Sequence, residues 1–334
     1  MKTLRIHIFL FIAILALNIG VSAQGIQEVP RFIDSELVLG EGIYKVLPNT
    51  LVTSSGNLVI QENATLLFGP NAQIRVQGGL QIKGAIRNFA QFNNINNISP
   101  GKGFLIEGND ESSISIDYAR FTALELPLKF QKNWSRNGVN ISNSIFSNLS
   151  SKKVIVEFQD VDNILTTKQI QVFINSNTFA NNRAGILIAN IASDNIRYSI
   201  TNNVITRNQF IGRDLNGIFT TPLFINYKRG YYKDPPIIKN NSISYNYGSQ
   251  LLRDTVDFFP VFVTATGSAN ELDLNNNYLG FEGKEYFEDI ISQINSTTQA
   301  PFIGLDDVLE RPDANLNGHI YKIGINGNRI DNPF

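Results

Sequence analysis

Cations, phenol rings and a carboxylate come closest together in one stretch, FINYKRGYYKDPP, Phe224 to Pro236. Lys228, Arg229 and Lys233 stand among Tyr227, Tyr231 and Tyr232, with Asp234 beside them. A Tyr ring offers a flat face to the apolar side of a sugar, and a cation pairs with a carboxylate or sulfate. That set suits an acidic glycan. A second stretch, Leu251 to Ala269, carries Arg253, Asp254 and Asp257 beside the apolar FFPVFV. Were the two stretches neighbours, Lys228, Arg229, Tyr231, Tyr232, Lys233, Asp234, Arg253 and Asp257 would line a groove between them. The plainer alternative is that the rings pack the loop onto the body and the charges keep it solvated.

Catalysis would need more. A uronate lyase wants a Lys or Arg base, with carboxylates gathered around calcium to neutralise the substrate acid. A glycoside hydrolase wants two carboxylates converging on one face. The adjacent pairs Asp110-Glu111, Glu288-Asp289 and Asp306-Asp307 point to opposite faces of any strand that holds them. Asp160 and Asp162 share a face, but no other carboxylate flanks them. There is no Cys, and the two His residues are His7 and His319. Thiol nucleophiles, Cys-ligated metals and a Ser-His-Asp triad away from His319 are thereby excluded. The expectation is no catalytic residue, no metal and no cofactor; calcium enters only if the chain is a lyase.

Residues 1–23 read as an export signal. Lys2 and Arg5 precede an apolar run, Ile6 to Ile19, and Val21-Ser22-Ala23 supplies small residues for cleavage. The run is shorter than the roughly 20 residues a membrane span needs. The mature chain is then expected to start at Gln24 and to reach the periplasm, the cell surface or the medium. No Cys stands near the cleavage point to carry a lipid, and no later run is long enough to span a bilayer. Removing Lys2 and Arg5 takes the formal charge from -1 to -3. A mildly acidic chain argues against nucleic acid as partner. A polysaccharide or a cell-surface protein is expected instead.

What must position any site is a repeating set of short strands. Leu58, Leu66, Ile74 and Ile82 are eight apart, and so are Val52, Ile60, Phe68 and Val76; Phe92 falls on the second series two steps later. Turn residues such as Gly69-Pro70-Asn71 and Gly78-Gly79 separate the strands. Few two-residue hairpin turns occur, which disfavours a meander. One side of a coil every eight residues, with three sides per coil, gives a parallel β-helix of about 24 residues per coil. A second pattern follows: an apolar residue, two residues, Asn, any residue, an apolar residue, two residues, often Asn. The first Asn of each copy is Asn143, Asn177, Asn203, Asn241, Asn277 and Asn328. Two apolar residues five apart face the same side only if the chain bends between them. Asn tolerates the left-handed conformation of such a bend. Each of these Asn residues is therefore expected at a corner, stacked as an amide ladder. Corner spacings above 24 to 26 mark loops leaving the coil, where variable function sits.

Two segments carry a resemblance. Gly56 to Phe92, GNLVIQENATLLFGPNAQIRVQGGLQIKGAIRNFAQF, is similar to the first coils of exported bacterial right-handed parallel β-helix repeat proteins of the pectin-lyase-like superfamily. Asn276-Asn277-Tyr278-Leu279-Gly280 resembles the Asn-Tyr-Trp-Gly element near the end of such helices, with Leu279 where Trp is usual. The resemblance implies an all-β, three-sided right-handed solenoid. It covers about residues 40 to 312, and the layout expected is a lead-in or cap over residues 24–49 and the helix proper over 50–312. A short C-terminal helix through Phe287, Ile290, Ile291 and Ile294 follows from their spacing. Residues 313–334 would form a last strand or hairpin, or the start of a truncated Ig-like module. The fold hosts both binders and enzymes. The function expected is a non-enzymatic interaction or adhesion module that binds an acidic glycan through side loops. The alternative is a polysaccharide lyase or glycoside hydrolase acting on an acidic polysaccharide.

Overall fold

A computed structural model describes residues 25–96, 99–108, 112–131, 134, 138–159, 170–191, 196–210, 221–227, 236–248, 261–265, 272–278 and 303–304. These residues form strands and corners, with no helix among them. The strands lie in three long sheets, and successive coils pair in parallel on every side. The chain is a three-sided parallel β-solenoid, as the eight-residue period requires. Leu58, Leu66, Ile74 and Ile82 stand on the third, first, second and third sides in turn, and each is fully buried.

The first side, sheet A, runs from Gln27–Glu28 through Gly42–Val46 and Ala64–Phe68 to Ser242–Ser244. The second, sheet B, includes Gln73–Val76, Gly103–Ile106, Leu128–Phe130, Ser150–Phe158 and Arg183–Ala189. Sheet C runs from Glu36–Leu39 to Ile237–Lys239. Gln27–Glu28, Phe32–Ile33 and Glu36–Leu39 form one coil, stacked on the next. Leu272–Asp273 pairs with Ile303–Gly304, so strand pairing continues beyond Tyr278. The expected C-terminal helix and residues 313–334 lie outside the described residues.

Stacking sets the register. Leu58 pairs with Leu80 and Val52 with Val76, so the coils there take 22 and 24 residues. Phe92 pairs with Leu66 rather than continuing the Phe68 series, and Asn94 takes the place opposite Phe68. Ile82 pairs with Ile60, so Ile82 to Phe92 spans ten positions where Ile60 to Leu66 spans six; the four extra residues lie in the turn from Gly84, where Ala85 and Asn88 close a small antiparallel bridge. From Phe92 onward sheet A carries a column of rings. Phe92–Phe121, Phe121–Phe146 and Phe146–Phe179 stack at 4.7, 4.9 and 4.7 Å with interplanar angles of 17, 12 and 7°. The distances match the spacing between neighbouring strands. Ile205 and Ile243 extend the column.

The corners correct the expected geometry in one respect. The left-handed residue is not the ladder Asn but the residue before it: Asn143, Ser176, Asn202, Asn240 and Asn276 have φ of 50, 57, 58, 57 and 61°. Asn177, Asn203, Asn241 and Asn277 then turn inward and are buried. Asn203 Nδ2 donates to Asn241 Oδ1 at 2.9 Å and to Ile174 O at 2.8 Å, while Asn203 N also donates to Asn241 Oδ1. The same scheme recurs at Asn177 and Asn241. In the first copy the ladder position is Ser144, not Asn143, and Ser144 N donates to Asn177 Oδ1 at 3.0 Å. Phe146, not Ile145, therefore enters the ring column.

The "often Asn" three residues after the second apolar position is a second ladder at the next corner. Asn182 and Asn208 donate to Asn208 Oδ1 and Asn246 Oδ1 at 2.9 Å. Left-handed Asn181, Arg207 and Tyr245 precede its members. Two ladders five residues apart confine the intervening sheet A strands, such as Thr178–Ala180 and Val204–Thr206, to three residues.

Candidate binding site

Sheet B bears a concavity of about 540 Å³. That volume falls in the range of small-ligand sites. Its axis follows one outward row in which each residue pairs with the next: Leu105, Lys129, Glu157, Ala189 and Phe224. Arg75 precedes Leu105 in the same row. Residues on one row of a parallel sheet lie about 4.8 Å apart, so this row presents apolar, cationic, anionic, apolar and aromatic groups in fixed order.

Sequence-distant residues meet there because the solenoid turns them to one side. Val154, Ile186, Ala189 and Phe224, with partly buried Leu126, form an apolar cluster separate from the interior core. It floors the concavity. Lys129 Nζ lies 3.4 Å from Glu157 Oε2, and both side chains are about a quarter exposed. Arg75, at the margin, is committed to Glu107 at 2.8 Å, which also accepts from Gln77 Nε2 at 3.2 Å. Lys102, Lys153 and Glu125 line the same space, exposed and outside any ion pair among the described residues. Amides of Gln73, Gln131 and Asn190 complete the polar wall.

A β-bulge shapes one edge. Ser151 pairs with Ala184 and Val154 with Ile186, so the strand Ser150–Phe158 holds one more residue than its neighbour. Ser151 Oγ donates to Val154 O and accepts from Lys153 N, both at 3.2 Å. The bulge re-aims the side chains beside it, which is a common use of bulges near sites. Lys153 is thereby brought to the rim of the concavity.

Lys228, Arg229, Tyr231, Tyr232, Lys233, Asp234, Arg253 and Asp257 lie outside the described residues. The strands that flank them are described. Thr221–Tyr227 follows Arg183–Ala189 in sheet B and pairs in parallel register with Val261–Ala265. Phe224 of the first strand floors the concavity, so the chain enters residues 228–235 from the edge of this site. It enters Val261–Ala265 from residues 249–260, at the opposite end of the strand pair. Lys102, Glu125, Lys129, Lys153 and Glu157 were not singled out by sequence. They come from three successive coils, and only the register unites them. Among the described residues no cluster of three His, Asp or Glu is arranged to hold a metal ion.

Comparisons of the chain with protein-family models, with curated proteins and with solved structures return no match. Among the described residues no helix is long and apolar enough to cross a membrane.

Proposed function

We propose that the chain is an exported, non-enzymatic interaction or adhesion module, a right-handed parallel β-helix of the pectin-lyase-like kind. Its ligand is a glycan, acidic in character, held against the outer face of sheet B. One observation carries this reading: the concavity combines an apolar floor with amides, three lysines and two glutamates on a sheet fixed by hydrogen bonds. An apolar floor ringed by a few convergent polar groups is the usual make-up of a ligand site. A pyranose presents the same mixture, with an apolar C–H face and a rim of hydroxyls. Residues 228–235 adjoin the site in sequence after Phe224, so Lys228, Arg229, Tyr231, Tyr232, Lys233 and Asp234 are proposed to extend it. Arg253 and Asp257 belong to the same proposal as more distant contributors.

The experiment is a binding titration of the chain from Gln24 with soluble acidic and neutral polysaccharides. Acidic polymer is expected to bind more tightly, and Lys102→Ala with Lys153→Ala to weaken it at least about tenfold. Equal binding by the double variant removes the site from consideration. A second reading rests on Glu125 and Glu157, which line one concavity as an acid and a base of a hydrolase would. Reducing ends or unsaturated product that appear with the native chain and vanish with Glu157→Gln would establish an enzyme in place of a binder.

A further inference from the structure

Away from the concavity, Arg120 stands in Ala119–Thr122 on the outer face of sheet A. Its strand neighbours are Gln91 and Ile145. The guanidinium carbon lies 5.3 Å from the centroid of the Phe89 ring. Phe89 is only 5 % exposed and meets Tyr118 edge-on, at 5.8 Å and 73°. The platform under the guanidinium is therefore itself fixed.

Among the described residues the group has no counter-ion: Arg120 Nε is buried with no hydrogen-bond partner, and no described carboxylate forms an ion pair with the side chain. Arg75, an outward arginine of sheet B, differs in this respect, since Glu107 sits 2.8 Å away. Burial lowers the pKa of Arg120 below the ordinary arginine value, and no neighbouring acid offsets it. A half-buried cation without a partner is destabilising unless something binds it. A guanidinium over a ring keeps its donors in its own plane, and with Nε buried the terminal Nη edge is the one left to take two oxygens of one anion. Exposed Gln91 adds an amide on the adjacent strand.

We propose that Arg120, stacked on Phe89, is a receptor for one oxoanion, a carboxylate, sulfate or phosphate group, on the outer face of sheet A. This site stands apart from the sheet B concavity, and its residues are not shared with it. The glycan reading and this one therefore stand or fall separately.

The chain is titrated with sodium sulfate, phosphate and acetate in separate arms, each at an ionic strength held constant with sodium chloride. The Nε–H resonances of 15N-arginine-labelled protein and the Tm are followed together. A buried Nε–H exchanges slowly with water, which marks Arg120 in the native chain, and Arg120→Gln removes the signal. The expected result is a saturable shift of that resonance and a Tm rise of about 2 °C, absent from Arg120→Gln. The arm that saturates first tells a carboxylate from a sulfate or phosphate source. Arg120→Lys keeps the charge but not the fork, and its affinity is expected to fall at least about tenfold. Unmoved resonance in every arm, an equal Tm response in Arg120→Gln, or undiminished affinity in Arg120→Lys overturns the proposal.

Discussion

At each corner two adjacent residues divide two tasks. Asn202 holds the left-handed bend at φ 58° and donates from Nδ2 to Asn175 Oδ1 at 2.8 Å on the outside. Asn203 is fully buried, and its side chain joins three coils by accepting from Asn177 and donating to Asn241 and Ile174. Sequence alone does not separate these tasks, because Asn suits both and the chain writes Asn-Asn at 202–203, 240–241 and 276–277. Ser176-Asn177 and Asn143-Ser144 show the division once the register is known. The two positions should respond differently to substitution. Asn203→Ala strands Asn177 N and Ile174 O in the interior, and the loss is expected to reach about 3 kcal/mol or more. Asn202→Gly keeps the left-handed backbone accessible and is expected to stay within about 1 kcal/mol of the native chain. Urea unfolding of both variants gives the comparison, and equal losses would mean that the ladder carries no special share of the stability.

Strands tell a complementary story. The eight-residue series was legible because inward and outward side chains alternate over a few residues, and Leu58 to Ile82 contains no insertion. Phe92 was misplaced by two residues because a turn between coils leaves no mark on the alternation itself. The site on sheet B was illegible for the same reason on a larger scale: Lys129 and Glu157 face one another only through a register that loops of unequal length conceal. The ring column offers the direct test of packing between strands. Phe146 lies between Phe121 and Phe179 with no exposure. Phe146→Ala is expected to lose about 3–5 kcal/mol, and Phe146→Leu about 1 kcal/mol, read as shifts of the urea midpoint at constant slope. On the outer side, coils are joined by polar contacts such as Lys239 Nζ to Asp273 Oδ2 at 2.9 Å. The hydrogen bond from Lys239, ahead of smaller contributions, holds the Asp273 carboxyl below the ordinary 3.8, with burial opposing it. A depressed folded pKa contributes stability above the unfolded value, and that contribution fades as pH falls through the folded one. The stability gap between the native chain and Asp273→Asn is therefore expected at about pH 6 and should narrow toward about pH 3. A gap independent of pH would remove Asp273 as its source.

For the whole molecule, a solenoid stabilises each coil chiefly through its neighbours, so its ends are the weak points and also the sticky ones. The first coil shows both properties. Among the described residues no strand pairs with the outer edges of Gln27–Glu28, Phe32–Ile33 and Glu36–Leu39. Ile26, Phe32 and Val38 are 58, 70 and 47 % exposed there. Three open parallel edges beside exposed apolar side chains form a template on which another chain can add strands. The same coil carries Glu28, Asp34 and Glu36 against Arg31, all exposed, a net charge of -2 from three acids and one base. Two such ends meeting face to face bring like charges together, which opposes strand addition. The acids are placed to keep the end free without being needed to hold it. Lys45 reaches Glu28 at 3.6 Å only in solvent, and Asn57 meets Glu36 at 3.1 Å on the surface. Exposed contacts of this kind contribute little to stability. Replacing Glu28 and Glu36 by Gln and Asp34 by Asn together should therefore leave the Tm nearly unchanged while promoting end-to-end association. Light scattering across a protein concentration series should show a mass that rises with concentration for the triple variant and stays flat for the native chain. Added Phe32→Lys, which restores charge at the most exposed apolar position, should return the variant to the native mass. A triple variant as monodisperse as the native chain would show that the exposed edge is guarded by something other than its charge.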